Sequence, residues 1–149
     1  MAKQIIKGMT MLLLVMAVAF ATAVVSANAQ SRHQVAKIPF EFIVGDKTLA
    51  AADYRINTVG EALAIRNADA TNSVIRLANT IAPKERKSAR LVFHRYGNTY
   101  FLSEVWEGGD RIGARLVESR QERAARREVS RIATNRTSCE EVVILASIR

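Results

Sequence analysis

The feature that most constrains this chain is a period-two alternation of apolar and polar side chains, which recurs between residues 35 and 116. Alternation of this kind places apolar side chains on one face of a β-strand and polar side chains on the other. Gly, Asn, Asp and Pro separate the alternating segments, and these residues favour turns. Residues 142–148 form a further run rich in β-branched side chains, which is typical of a strand. The pattern therefore predicts about eight short strands.

Residues 117–131 break the alternation and have the composition of a helix. They contain no Gly or Pro and include five Arg, which a helix tolerates well. The apolar stripe is narrow, with Ala125, Val129 and Ile132, so such a helix would dock along one line and leave its arginines in water. The sequence predicts a mainly β fold, an antiparallel β-sandwich or barrel, with one basic C-terminal helix before a closing strand.

Two turns predict the register of the central strands. Gly97-Asn98 and Gly108-Gly109 each fit a two-residue hairpin turn. A slip of one residue in either turn would exchange the two faces of a strand. The predicted cross-strand pairs are Arg95–Tyr100, His94–Phe101, Trp106–Arg111 and Val105–Ile112.

The two turns connect three consecutive strands, and the third strand indicates which face points to the core. Its apolar side chains Ile112, Ala114 and Leu116 alternate with Arg111, Gly113 and Arg115. The predicted core face carries Val92, His94, Tyr96, Phe101, Val105, Ile112, Ala114 and Leu116. The predicted outward face carries Leu91, Phe93, Arg95, Tyr100, Leu102, Glu104, Trp106, Arg111 and Arg115.

Residues 1–29 have the three parts of a secretory signal. Lys3 and Lys7 precede an apolar run of 17 residues, 9–25, and Ala27-Asn28-Ala29 supplies a small-x-small cleavage site. We expect cleavage after Ala29, which leaves no membrane span in the mature chain. The run is also long enough for the alternative, an uncleaved anchor in the inner membrane. Both alternatives export the rest of the chain, to the periplasm or the outside.

The mature chain would begin with a polar lead-in at residues 30–34, and residues 35–149 are expected to form a single domain. The formal net charge of the whole chain is +8, and removal of residues 1–29, which hold two Lys and no acid, leaves +6. Such a charge favours anionic partners. Because export makes nucleic acid a poor candidate, we expect an anionic polysaccharide or another envelope component.

The predicted outward face interleaves aromatic rings with arginines, which indicates a binding surface. Rings stack on sugars, and guanidinium groups pair with phosphates or carboxylates. The alternative is that other elements, or a second copy of the chain, cover this face. The candidate binding residues are Arg95, Tyr100, Trp106, Arg111 and Arg115.

No sequence pattern predicts a metal, a cofactor or a catalytic constellation. Two His separated by 61 positions and a single Cys do not provide the ligand spacing of a zinc site, and a Gly-x-Ser-x-Gly elbow is absent. Cys139 lies beside two Glu residues, which disfavour its thiolate. The chain is therefore expected not to be an enzyme.

His94 is the obvious candidate for a general base, but its predicted neighbours are Phe101 and Leu116. A packed, hydrogen-bonded histidine is the simpler interpretation. The alternative function is a small periplasmic hydrolase in which His94 works with Glu104 or Asp110. The predicted register weakens the first pair, because it places Glu104 on the opposite face from His94.

Several segments resemble a family of small exported acidobacterial proteins of unknown function. The resemblance covers about residues 35–130, and its most specific part is the aromatic hairpin. It implies export and a β-rich fold, and it implies no activity. The segments are IPFEF at residues 38–42, VGDK at 44–47, LVFHRYG at 91–97 and YFL at 100–102, followed by Trp106.

Overall fold

Strands dominate the fold in this computed structural model, which describes residues 33–82, 88–109, 112–132 and 139–148. The helix α1 (Arg120–Ile132) lies between the ninth and tenth of the eleven strands found in these ranges. The strands are β1 (Gln34–Ile38), β2 (Phe42–Val44), β3 (Lys47–Leu49), β4 (Ala52–Val59), β5 (Ala62–Asn67), β6 (Ser73–Ile81), β7 (Arg90–Tyr96), β8 (Thr99–Trp106), β9 (Gly113–Leu116), β10 (Glu140–Leu145) and β11 (Ser147–Ile148).

The strands form a mixed sheet in the order β10-β7-β8-β9-β6-β5-β4-β1-β11, with β2 paired to β8 and β3 paired to β2. The β2–β8 ladder is parallel, whereas the other ladders of the described residues are antiparallel. The predicted mainly β fold, with one helix before the closing strands, is confirmed. The sheet does not close into a barrel and has about eleven strands rather than eight.

The additional strands have local causes. Pro39 cannot donate a ladder hydrogen bond, and the first alternating segment is accordingly divided into β1 and β2. The predicted closing strand is also divided, since β10 pairs with β7 and β11 pairs with β1. Between them, the Ala146 N–H donates a hydrogen bond to the Ala89 carbonyl oxygen at 2.9 Å. The predicted lead-in ends earlier than expected, because Gln34 already belongs to β1.

One hydrophobic cluster packs against both halves of the sheet. The two halves meet at β6, which changes its pairing partner along its length. The first part of β6 pairs with β5 and its last part pairs with β9. The ring of Phe42 contacts Tyr54 and Phe93 edge to face, with centroids 5.2 and 5.4 Å away. The Tyr54 hydroxyl donates to the Ala50 carbonyl oxygen at 2.7 Å, so its polar atom is satisfied inside the core. The largest fully buried side chains are Tyr54, Phe42, Phe93, Ile38, Leu49, Leu63, Ile65, Leu91, Val44 and Val105.

The register of the first hairpin is confirmed and that of the second is wrong. Arg95 pairs with Tyr100, and His94 pairs with Phe101. Trp106, however, pairs with Gly113 rather than with Arg111, because the connection after β8 covers residues 107–112 instead of a two-residue turn. For the same reason, the partner of Val105 is Ala114 and not Ile112.

A β-bulge at Ser103 explains why the predicted faces are partly wrong. Val92 pairs with Glu104 and Phe93 pairs with Leu102, so Ser103 is an extra residue in β8. One extra residue exchanges the faces of the strand beyond it. Leu91, Phe93 and Leu102, expected to point outward, lie in the core with Val105, Ala114 and Leu116. Of the residues expected in the core, Ile112 is exposed. The bulged register places four others on the opposite face, namely Val92, His94, Tyr96 and Phe101, and of these Val92, Tyr96 and Phe101 are buried there.

The helix begins at Arg120, three residues later than expected. Ser119 is its N-cap, because its hydroxyl oxygen accepts a hydrogen bond from the Glu122 N–H at 3.1 Å. Of the predicted apolar stripe, Ala125 and Val129 are half-buried, whereas Ile132 is 77% exposed.

No helix in the described residues is long and apolar enough to cross a membrane.

Candidate functional site

The first pair of predicted binding residues lies at the rim of the core. The Arg95 guanidinium carbon is 5.4 Å from the ring centroid of Tyr100, and that ring stacks on Phe40 at 4.0 Å. Arg95 Nε donates to the Gly97 carbonyl oxygen at 2.8 Å, and Nη1 lies 3.3 Å from Glu140 Oε2. Contacts within the protein therefore already occupy two of the three guanidinium nitrogens of Arg95.

Trp106 has a different cation as its neighbour from the one predicted. The guanidinium carbon of Arg90 lies 5.1 Å from the centroid of the indole. A Cβ added at Gly113 would lie 2.7 Å from the indole ring, so the cross-strand position leaves space only for glycine. Arg111, the predicted partner, lies outside the described residues.

Arg115 and Trp106 share one carboxylate. Arg115 donates from Nε and Nη2 to Glu104 Oε1, at 2.9 and 2.7 Å, and Trp106 Nε1 donates to Glu104 Oε2 at 2.8 Å. Because of the bulge at Ser103, these residues lie on the face opposite to Tyr100. The prediction of one shared outward face is therefore wrong for the set Arg95, Tyr100, Trp106 and Arg115.

His94 contacts a carboxylate that the sequence did not indicate. Its Nδ1 lies 2.8 Å from Oε1 of Glu122 in the first turn of α1, and the Glu122 side chain is 8% exposed. This hydrogen bond raises the pKa of His94, and burial acts in the opposite direction. His94 is hydrogen-bonded, as the simpler interpretation predicted. A capping pattern at Ser119 and Glu122 was visible in the sequence, but nothing in it linked Glu122 to a histidine 28 positions earlier.

The His94–Glu122 pair lies in an open cleft between α1 and the sheet, with a volume of about 440 Å³. With the proton on Nδ1, Glu122 would fix the imidazole and leave Nε2 available for proton transfer. Ser103 and Glu104 line the same cleft, so the expectation that Glu104 lies opposite His94 is wrong. Both oxygens of Glu104 are already bonded to Trp106 and Arg115. Asp110, the other predicted partner, lies outside the described residues.

The cysteine near this cleft is not an activated nucleophile. Burial raises the pKa of Cys139, and the charges of Glu122 and Glu141 raise it further. Burial and a hydrogen bond with Cys139 likewise raise the pKa of Tyr96. Both groups therefore stay protonated near neutral pH. Among the described residues, no group of three or more His, Cys, Asp and Glu side chains could hold a metal ion.

A second, larger cleft lies where β6 meets the start of α1, with a volume of about 700 Å³. Ile75 and Leu77 line it and are 72% and 74% exposed. Arg76, Arg120 and Arg123 also line this cleft, together with the acidic residues Asp46 and Glu118. We call it the arginine cleft.

The arginines of the arginine cleft have few partners in the protein. Arg76 Nη2 lies 3.5 Å from Asp46 Oδ2, and its Nε is buried without a hydrogen-bond partner. The ion pairs formed among the described residues include neither Arg120 nor Arg123. The sequence analysis missed this site because it treated β6 as an ordinary half-buried strand. The available signal was Ile75-Arg76-Leu77, where two exposed positions of β6 carry large apolar side chains.

No protein-family model matches this chain, and no curated protein or solved structure matches it. The resemblance to small exported acidobacterial proteins therefore stays a prediction, and the function must be inferred from the two clefts.

Proposed function

We propose that this chain is an exported, non-enzymatic β-domain that binds an anionic component of the bacterial envelope, such as an acidic polysaccharide. The arginine cleft carries this proposal. Arg76, Arg120 and Arg123 line one open surface, and guanidinium groups pair with carboxylates and phosphates in two-pronged geometry. The net charge of +8 over the whole chain, or +6 once residues 1–29 are removed, supports attraction of anions over a longer range.

The helix adds further positive charge beside the cleft. α1 carries five Arg and two Glu, and one of these acids, Glu122, is turned inward to His94. Arg126 pairs with Glu118 at 3.3 Å. The remaining arginines of α1 face solvent and add long-range attraction of anions without lining the cleft.

A binding assay across a salt series tests this proposal. The exported chain is titrated with polygalacturonate, which is anionic, and with dextran, which is neutral. We expect binding to polygalacturonate that weakens as salt screens the charges. In Arg120→Gln/Arg123→Gln, the Kd for polygalacturonate should rise about tenfold, since two charge-assisted contacts are lost.

Two control variants locate the site. Arg127→Gln/Arg131→Gln removes the same charge from the other end of α1, and Trp106→Ala tests the residues predicted from the sequence. Both should retain most of the affinity. Equal losses in both double arginine variants would indicate diffuse charge instead of a site. Absence of salt-sensitive binding to every anionic ligand, polymer or lipid vesicle, would contradict the proposal.

The second candidate function is a hydrolase centred on His94. The observation that favours it is the 2.8 Å contact between His94 and Glu122 in an open cleft, since a carboxylate on Nδ1 is the usual way to orient a general base. A panel of ester and glycoside substrates, measured with the parent chain and with His94→Gln, separates the candidates. Turnover lost in a variant of unchanged melting temperature would establish the hydrolase and overturn the non-enzymatic proposal.

A further inference from the structure

Two arginines lie directly opposite each other on the outer face of β4 and β5. Arg55 pairs with Arg66 in the ladder, and the next residue in this row is Ser73 of β6. Both arginines are exposed, and neither belongs to an ion pair formed among the described residues. Like charges directly opposite in an antiparallel ladder are unfavourable. A bound anion between them would relieve this repulsion.

A patch of aliphatic side chains, called here the aliphatic field, borders the row formed by Arg55 and Arg66. The field consists of Val59, Ala62, Ala64, Ile75 and Leu77. Along the ladders, Ala64 lies opposite both Asn57 and Ile75, and Ala62 lies opposite both Val59 and Leu77. Val59, Ile75 and Leu77 are all exposed large apolar side chains. The alanines between them leave the surface flat. Contiguous exposed apolar surface of this kind marks an interaction site more often than a single exposed side chain does.

Arginines flank this aliphatic field on both sides. Arg55 and Arg66 lie along one side. On the other side lies the arginine cleft, because Ile75 and Leu77 belong to the field and also line that cleft with Arg120. We call the field with its arginine row the β4–β6 face.

We infer that the β4–β6 face docks on the surface of an anionic phospholipid membrane. This inference rests on the proposed function, because it names the anionic envelope component. Phosphates of the lipid headgroups would accept hydrogen bonds from Arg55 and Arg66. The aliphatic side chains of Ile75, Leu77 and Val59 would enter the boundary between headgroups and acyl chains.

Other occupants fit this face less well. The field contains no aromatic ring on which a sugar could stack, since its members are Val59, Ile75, Leu77 and the two alanines. A second copy of the chain in a symmetric contact would bring two copies of the arginine row into one interface. A phospholipid surface supplies negative charge for the arginines of the face and an apolar layer for its aliphatic side chains.

Co-sedimentation with vesicles tests the inference. The full chain, as recovered from the host that exports it, is mixed with vesicles of phosphatidylglycerol and phosphatidylcholine in equal parts, or of phosphatidylcholine alone. We expect binding to the mixed vesicles and at least about tenfold weaker binding to the neutral ones. Ile75→Ser/Leu77→Ser and Arg55→Gln/Arg66→Gln should each reduce binding to the mixed vesicles about tenfold.

Matched variants control for general loss of apolar surface and of charge. Ile132→Ser/Leu145→Ser removes two side chains that are 77% and 69% exposed and lie outside the β4–β6 face. Arg127→Gln/Arg131→Gln removes two charges from α1. Both controls should bind the mixed vesicles as the parent does. Melting temperatures within about 3 °C of the parent would show that all four double variants are folded.

The outcomes separate this inference from the proposed function. Binding to polygalacturonate without binding to mixed vesicles overturns the lipid inference and leaves the proposed function intact. Binding to vesicles that the two face variants do not weaken also overturns it. If neither vesicles nor anionic polymers bind, both are wrong.

Discussion

At the scale of single residues, the contact between His94 and Glu122 attaches α1 to the sheet through a charged side chain. Glu122 is nearly buried, and a buried carboxylate is unfavourable without a partner. His94 supplies that partner across the 2.8 Å contact. Removing the charge in Glu122→Gln should lower the free energy of unfolding by about 1–3 kcal/mol, measured by urea denaturation.

The same contact predicts how stability depends on pH. The pKa of His94 is raised in the folded state, chiefly by the hydrogen bond to Glu122, so the folded chain holds this proton more tightly than the unfolded chain. The stabilisation is complete below the unfolded value of about 6.5 and is lost as the pH rises through the folded value. Urea denaturation from pH 6 to pH 9 should show a falling free energy of unfolding.

Glu122→Gln is the control for this pH dependence. The variant should be less stable near pH 6 and should show a shallower decline above it. The groups that also face His94 are Glu104 and Glu141, whose charges raise its pKa in the same direction. An identical slope in the parent and the variant would show that other groups set the pH dependence.

The opposed arginines of β4 and β5 allow a second test at the residue scale. Arg66→Glu replaces a like-charge pair with an opposite-charge pair across the Arg55–Arg66 position, so the free energy of unfolding should rise by about 0.2–1 kcal/mol. Binding to mixed vesicles should fall in the same variant. Higher stability together with weaker vesicle binding is expected if the Arg55–Arg66 pair binds an anion at a cost in stability. A loss of stability on this substitution would contradict that interpretation.

At the scale of elements, α1 is the weakest attachment in the described fold. Glu122 is its one buried residue, whereas Ala125 and Val129 are half-buried and most of its other side chains face water. Elements with few buried contacts open at free energies well below global unfolding. The amides of α1 should therefore exchange with solvent faster than those of Phe93 and Phe101 in the central hairpin.

Hydrogen exchange followed residue by residue measures this difference. Glu122→Gln should accelerate exchange in α1 and leave the protection of β7 and β8 nearly unchanged. Equal protection of the helix and the central strands would mean that the helix unfolds only with the whole domain, and that the His94–Glu122 contact is not what holds it.

The sequence predicted elements well where one face of a strand is exposed. In β4 the buried Tyr54 and Ile56 alternate with polar side chains, and Gly97-Asn98 correctly predicts the first hairpin. The prediction was wrong along β7 and β8, because Leu91, Val92 and Phe93 are all buried and such a run carries no alternation. A bulge there cannot be located from the pattern, and it exchanged the faces.

At the scale of the whole molecule, the turn of the sheet at β6 decides which surfaces remain free. The core lies between the two halves of the sheet, and α1 lies against the outer face of β7 through Glu122 and His94. The outer face of β4, β5 and β6 has no such cover among the described residues, and its large aliphatic side chains are exposed. Packing over long distances in the chain produces this division, so no local sequence pattern could predict it.

The candidate site was likewise only partly predictable from the sequence. The composition predicted basic charge and an anionic partner, but it did not predict which arginines line the cleft. The residues predicted from the hairpin are bonded within the protein, as Arg115 is to Glu104. The arginines of the cleft come from β6 and α1, which are separated in the chain and meet only in the folded sheet.

Amide chemical-shift mapping tests the central claim, that an anionic partner binds at β4–β6 and the arginine cleft, most directly. The isotopically labelled exported chain is titrated with bicelles containing phosphatidylglycerol and, separately, with short oligogalacturonates. We predict salt-sensitive shifts at Arg55, Arg66, Leu77 and Arg120 with at least one of the two ligands, and small shifts around His94. Shifts confined to the Arg95–Tyr100 hairpin or to the His94 cleft would contradict the account, as would no shift with either ligand.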